Sequence, residues 1–347
     1  NATYASSLTV SEEFINNNTA ENSVVLENNT SLKQLSGSTG INHGNITVHR
    51  NLDFTGARNE YNYLSTPVTF ASGQSYKTIY PGVTAANYPS VLYYVESTRY
   101  FLQSSGANIL GRSSAVKEAG TLSGITNNRA EFKGVPYVGD FTYPLAHSST
   151  GLGFNLVGNP YPSNVDLQVL YSHNSSQIEP DFRFWDNKAN DNGGQQHGAG
   201  YNGRAYARYN AVSNIGNEAG YYLNTSHPII GSKKPNKILK VGQGMMVQAL
   251  GSGKSLSWNN APDVKTVDNA GSVFFGKTSP DNRYWLTMKT PENLILTAAF
   301  TYIPELSNAF EKGDSKVTSG ESDSFYSMTS DAEKVVINAR SIFNPDD

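Results

Sequence analysis

Apolar and polar residues alternate in short runs along almost the whole chain, and the runs are closed by Asn, Gly, Ser or Pro. A period of two over four to eight residues, bounded by such breakers, predicts β-strands. Tyr61 to Leu64, Val91 to Val95, Leu294 to Phe300 and Val335 to Arg340 are among the clearest. Sustained helical periodicity is missing. Only Val165 to Tyr171 and Pro304 to Lys312 can form a helix, each of a turn or two. The expected fold is all-β, built of tandem β-sandwich domains of jelly-roll type.

The runs fall into four segments. Residues 1–50 carry Leu8-Thr9-Val10, Val24-Val25-Leu26, Leu32 to Leu35 and Ile46-Thr47-Val48, evenly spaced and separated by Asn-rich turns. This suits the rungs of a short β-solenoid, where Asn stacks at corners, and equally the strands of a sandwich. Residues 51–150 make one sandwich half or domain, ending in a hairpin expected around Val138-Gly139. Residues 151–270 make a second, with an insertion at 184–230 rich in Gly, Asn and Tyr. Residues 271–347 are expected to form an incomplete C-terminal sandwich.

The most tightly specified stretch is Phe154-Asn155-Leu156-Val157-Gly158-Asn159-Pro160-Tyr161-Pro162-Ser163. Two prolines in three residues forbid a helix and bias their predecessors towards extended backbone. A buried strand ending in a rigid corner follows. Asn62 to Pro67 echoes Asn155 to Pro160, so the second and third segments read as a weak repeat. In that alignment Gly242 to Ala249 corresponds to the Tyr100-Phe101-Leu102 region, and Leu256 to Asn260 to Ala130 to Gly134.

Composition narrows the function classes. Charged residues make up 16% of the chain and the net charge is -3, which argues against nucleic acid as a partner and against a polybasic membrane-binding surface. No apolar run is long enough for direct membrane insertion. The absence of cysteine excludes disulfides, thiolate metal sites and a Cys nucleophile, and leans towards an exported protein.

No catalytic centre emerges. Gly198-Ala199-Gly200-Tyr201-Asn202-Gly203 has dinucleotide-loop spacing but lacks the strand before it and the helix after it. Gly251-Ser252-Gly253-Lys254-Ser255 lacks the first glycine of a phosphate loop and runs into a strand. The six histidines are scattered, and each reads as a surface residue in a polar loop. Calcium is the one cofactor the sequence admits. Asp186, Asn190, Asp191 and Asn192 offer hard oxygen ligands at short spacing before a Gly-Gly, although Lys188 interrupts them and a closing Glu is lacking. Trp185, Tyr201, Tyr206 and Tyr209, with Tyr221 and Tyr222, could stack on sugar rings, or simply fill the core.

The ordered series of strand motifs resembles the C-terminal β-rich region of Bacteroidota (Flavobacterium-like) cell-surface proteins exported by the type IX secretion system. The matching stretches are Val25 to Gln34, Gly44 to Arg50, Tyr61 to Val68, Phe132-Lys133-Gly134, Asn155 to Ser163, Phe184-Trp185, Gly242 to Val247, Arg283 to Leu286 and Phe325 to Ser327. Where the family usually carries Trp and aromatics, this chain has Leu64, Met245 and Met246. The resemblance implies an extracellular or cell-surface location, a sorting domain after this region, and type IX secretion components as partners during export. It does not imply catalysis. Three functions are compatible with it. One is a non-enzymatic adhesin or structural stalk, meeting surface glycans or other surface proteins. Another is a carbohydrate-binding accessory region of a secreted polysaccharide-degrading enzyme. The last is cargo bound to the translocon.

Overall fold

The structure is a computed structural model and describes residues 7–20, 23–35, 42–52, 61–125, 127–186, 205–222, 234–259, 261–267, 282–317 and 325–341. The chain is all-β apart from one short α-helix and two single 3-10 turns among these residues. It forms two compact units. Unit 1 is Asn1–Ile178 with Ile238–Ser272, and unit 2 is Glu179–Lys237 with Val273–Asp347. The Tyr-rich insertion at 184–230 falls within the first segment of unit 2.

Unit 1 begins with two stacked coils. Ser7–Val10 pairs in parallel with Ser31–Gln34, Ile15 bridges His43 in parallel, and Val25–Leu26 pairs in parallel with Ile46–Asn51. Three successive parallel pairings between the same two stretches make a two-coil, three-sided β-solenoid. Amides fix one corner. Gln34 and Asn42 exchange two hydrogen bonds of 2.8 Å, and Asn42 Oδ1 also accepts from the Phe14 N–H. The second coil leads into the rest of the unit. Ile46–Asn51 pairs antiparallel with Arg129–Pro136, which pairs in turn with Val68–Phe70. Ile46, Val48, Ala130 and Phe132 alternate into one core with Leu32, Leu64, Val91, Val116 and Val241.

The centre of unit 1 is a crossing of two strand pairs. Tyr61–Leu64 pairs antiparallel with Ser114–Lys117, and Phe154–Gly158 with Gly244–Gln248. At their ends the pairs exchange partners: Leu64 bridges Gln243, and Val157 bridges Arg112. The Ser65 N–H donates to Gly242 O at 3.0 Å, and the Gly158 N–H donates to Gly111 O at 3.2 Å. Gly111 and Gly242 share a left-handed φ of 78° and 79°, a conformation that costs glycine little. Asn62 to Pro67 therefore stands to Gly111–Lys117 as Asn155 to Pro160 stands to Gly242–Gln248. The first member of the expected repeat takes equivalent pairings in both halves, but the other two do not: Ala130 to Gly134 pairs with Ile46–Asn51, Leu256 to Trp258 with Phe141–Tyr143, and the second member differs as well. Tyr100–Gln103 is instead the outer strand of a sheet, paired with Val91–Val95. The true counterparts share little beyond a glycine and a valine (Gly111 and Val116 against Gly242 and Val247). What they have in common is a backbone requirement.

Small residues permit this crossing. A Cβ added to Gly158 would overlap Ser113 Oγ and lie 2.5 Å from Ser65 Cβ. One added to Gly244 would overlap the same Oγ and lie 3.0 Å from Tyr63 Cβ. Neither glycine has positive φ, so space and not backbone angle demands glycine. The corner beyond Gly158 is locked by its own side chains. Asn159 Nδ2 donates to Ser163 O at 2.8 Å and Lys240 O at 3.2 Å, while its Oδ1 accepts from the Tyr161 N–H. Tyr161 is fully buried, and its single hydroxyl proton is shared between Trp258 O at 2.9 Å and Gly139 O at 3.0 Å.

Two local expectations change. The hairpin around Val138-Gly139 does not form. Phe141–Pro144 pairs with Ser255–Trp258. Pro136 has no N–H for a hairpin partner, and the Tyr137 N–H is committed to Pro67 O. The helix near 165 is Leu167–Asn174, capped by Asp166, whose side chain accepts from the Gln168 and Val169 N–H groups. Pro304 to Lys312 is a series of turns and bends. There Ser307 Oγ, the Glu311 carboxylate and the Asp331 carboxylate accept the backbone donors that a helix would use.

Unit 2 holds the meander Asp181–Trp185, Tyr206–Asn210 and Ile215–Asn217. Its other sheet is built on Leu294–Tyr302, antiparallel to Arg283–Lys289 and parallel to Lys334–Arg340. Ile215, Ala299 and Ile337 form a buried cluster, with Trp285 against it.

Gly158→Ala is expected to lower the unfolding free energy by about 1–3 kcal/mol through overpacking. Adding Ser113→Gly, which removes one of the two side-chain overlaps and leaves that with Ser65 Cβ, should restore part of that loss. Urea melts of the two variants check this, and a second substitution that restores nothing would contradict the crossing as the cause.

Candidate functional site

The predicted sugar-stacking residues are only partly brought together. Trp185 and Tyr206 face each other across paired strands, half-buried, with ring centroids 5.3 Å apart and planes at 69°. Trp185 and Tyr221 rest on Ala205, Ala207 and Ala219. Tyr209 is 1% exposed, turned into the core with its hydroxyl on Asn214 Oδ1 at 2.8 Å. Tyr201 and the side chain of Tyr222 lie outside the described residues. An edge-to-face pair presents no flat platform for a sugar ring.

Of the calcium candidates, Asp186 is half-buried and its N–H donates to Ala205 O at 3.0 Å. Asn190, Asp191 and Asn192 lie outside the described residues. Among the described residues no group of three His, Asp or Glu side chains is placed to hold a metal ion. None of their helices is long and apolar enough to cross a membrane.

The densest polar cluster was not foreseen. It lies where the second solenoid coil enters the sheet, on Ile46–Asn51. Adjacent residues of a strand point to opposite faces, so His49 and Arg50 serve two sides. His49 is 6% exposed, which corrects the expectation of a surface loop histidine. Its Nδ1 lies 3.0 Å from Glu27 and its Nε2 3.4 Å from Glu131. Glu131 also meets Arg129 at 2.6 Å and Lys133 at 3.7 Å. Cross-strand register brings these together, since Glu131 sits opposite His49. No motif search along the chain reveals such a pairing. With its two ring nitrogens beside carboxylates from the coil and from the sheet, His49 clamps the coil to the sheet.

Arg50 is the inward half of the clamp. Its guanidinium donates to the carbonyls of Thr30 at 2.8 Å, Val241 at 3.1 Å and Glu27 at 3.2 Å, and to His49 O. Burial pushes Arg50 down to about 9, which leaves it charged at neutral pH. A planar fork that reaches several carbonyls at once is a task for arginine rather than lysine. The turn between the coils, the strand and the loop at Val241 are thus held by one side chain.

Two further buried ionisable groups stand out. Lys265 lies 5.3 Å from the centre of the Tyr161 ring, and burial pushes it down to about 8, helped by Lys33 and opposed by Asp140. Such an amine is more nucleophilic than an ordinary lysine, but Lys265 is only 3% exposed and is covered by the fold. In unit 2, Asp314 accepts from the Ala339 and Glu311 N–H groups, yet burial still pushes it up to about 6.

The chain belongs to the family described as "Domain of unknown function (DUF8693)", whose model matches residues 2–347. No curated protein and no solved structure matches it.

Arg50→Lys is expected to destabilise unit 1 by roughly 2–4 kcal/mol, because buried carbonyls lose their donors. Denaturant melts measure this directly. Asp314 gives a pH signature. Its folded pKa is raised, so its contribution to stability is full below the unfolded value near 4 and is lost as pH rises through about 6. Wild type should lose on the order of 2 kcal/mol relative to Asp314→Asn between pH 4 and pH 7. Parallel melts across that range check the sign. A difference that does not vary with pH would contradict it.

Proposed function

We propose that the chain is a non-enzymatic region of an extracellular surface protein and acts there as a stiff stalk. The observation that carries this reading is the partner exchange at the centre of unit 1. The Ser65 and Gly158 N–H groups each donate across to the other strand pair, at Gly242 and Gly111. Segments far apart in sequence are locked together, so the four crossing strands cannot separate one at a time. Stiffness is obtained without a disulfide, in a chain that has no cysteine.

The resemblance of the motif series to type IX secretion cargo of Bacteroidota supports a cell-surface location. The densest ionic cluster supports a structural role, because its charges are spent on one another and on backbone carbonyls. The sugar-binding reading has less to stand on. Its best pair of rings meets edge to face, and Tyr209 is buried.

Single-molecule pulling on the chain from its two ends tests the stalk. The crossing strands of unit 1 are expected to release together in one step, and Gly158→Ala should lower the force of that step. Loss of strands one by one at the lowest forces would overturn the proposal.

A further inference from the structure

We infer that the first solenoid coil is a docking face for the end coil of another parallel β-solenoid, presented by a partner domain. The inference rests on the ladder geometry and stands whether or not the chain is a stalk. On all three sides the first coil is the outermost layer among the described residues. Ser7–Val10 pairs only with Ser31–Gln34, Ile15 only with His43, and Val25–Leu26 only with Ile46–Asn51.

Side-chain exposure among the described residues follows the same order. Leu8 and Leu32 occupy matching ladder positions and point to the same side. Leu32 is 1% exposed and Leu8 is 46% exposed. The other edge of Leu32 is covered by the segment at Pro162, whose carbonyl accepts the Leu32 N–H at 2.7 Å, whereas Leu8 has only the Leu32 strand beside it among the described residues. Ile15, at another side of the same coil, is 56% exposed.

The backbone is equally ready. The Leu35 N–H donates to Val10 O, so Val10 and Leu8 turn their backbone polar groups to the second coil. Strand alternation then turns those of Ser7 and Thr9 to the open edge. Natural edges are guarded by lysine, proline, bulges or inward charges. Ser7–Val10 carries no charge, proline or bulge, and its pairing is regular; Val25–Leu26 is guarded by its length of two residues.

The chemistry of the partner follows. A parallel coil satisfies the Ser7 and Thr9 groups and continues the existing register. It places an apolar side chain over Leu8. The charges on residues 7–20 are the exposed Glu12 and Glu13, so the matching corner of the partner is basic or neutral.

The absence of cysteine makes a clean test possible. Leu8→Cys provides a single thiol whose maleimide labelling rate reports cover over the first coil. A copy of residues 29–51, the chain's own second coil, is fused ahead of Asn1 as a surrogate partner. Labelling is expected to slow at least tenfold relative to a fusion of the scrambled segment. Thr9→Pro in the same fusion should restore fast labelling, because it removes an N–H from the open edge only. The melting temperature of unfused Thr9→Pro, expected to match wild type, shows that β-pairing with the second coil survives. Equal labelling of the true and scrambled fusions would overturn the inference. So would a dimer of the unmodified chain that Leu8→Asp dissolves, since the face would then belong to a second copy.

Discussion

Two antiparallel strand pairs can cross and exchange partners only if nothing larger than a hydroxymethyl group stands between them. Ser65, Ser113, Gly158 and Gly244 meet that limit in unit 1. The rest of the unit depends on it. The Tyr61 and Phe154 strands can each reach two partners only because their backbones approach closely at this point. Beyond it the chain turns at the Asn159 corner, where a buried amide donates to two carbonyls and a buried tyrosine hydroxyl shares its one proton between two more. Burying Tyr161 and Trp258 there contributes apolar area while their neighbouring backbone groups stay paired.

The same economy governs the charges. Arg50 sits in the core with carbonyls as its partners, and His49 sits between two carboxylates on the other face of the same strand. Removing a charge of this kind leaves orphaned polar atoms, which is more costly than the net worth of the interaction. The clamp therefore specifies how the solenoid coils join the sheet more than it adds to total stability.

Much of the strand content was legible because a period of two survives wherever one face is buried. Arg129–Pro136 alternates half-buried and buried residues along its whole length, as its sequence implies. The Leu-Val-Gly-Asn-Pro-Tyr-Pro corner was legible for another reason, since proline and glycine restrict the backbone whatever surrounds them. Which strand pairs with which was not legible. Pro136 and Phe141 are close in sequence but enter different sheets, and Gly111 matches Gly242 through a backbone angle that no residue pattern displays. The clamp was hidden because Glu27, His49 and Glu131 meet only through register. Of the residues picked for chemistry, Trp185 and Tyr206 come together and Tyr209 turns inward, a choice made by strand parity within the meander.

The sequence by itself determined that this protein is all-β, that it folds without disulfides, and where its most rigid corner lies. Those properties follow from local periodicity, from composition and from the fixed geometry of proline. It left open whether residues 1–50 stack in parallel or fold back antiparallel, because both arrangements ask for the same alternation. Only the tertiary structure decided that, by seating the second coil against the sheet through His49 and Arg50. It also decided why Gly158 must be glycine. The reason is a neighbour, Ser113, that the chain reaches only after the two strand pairs have crossed.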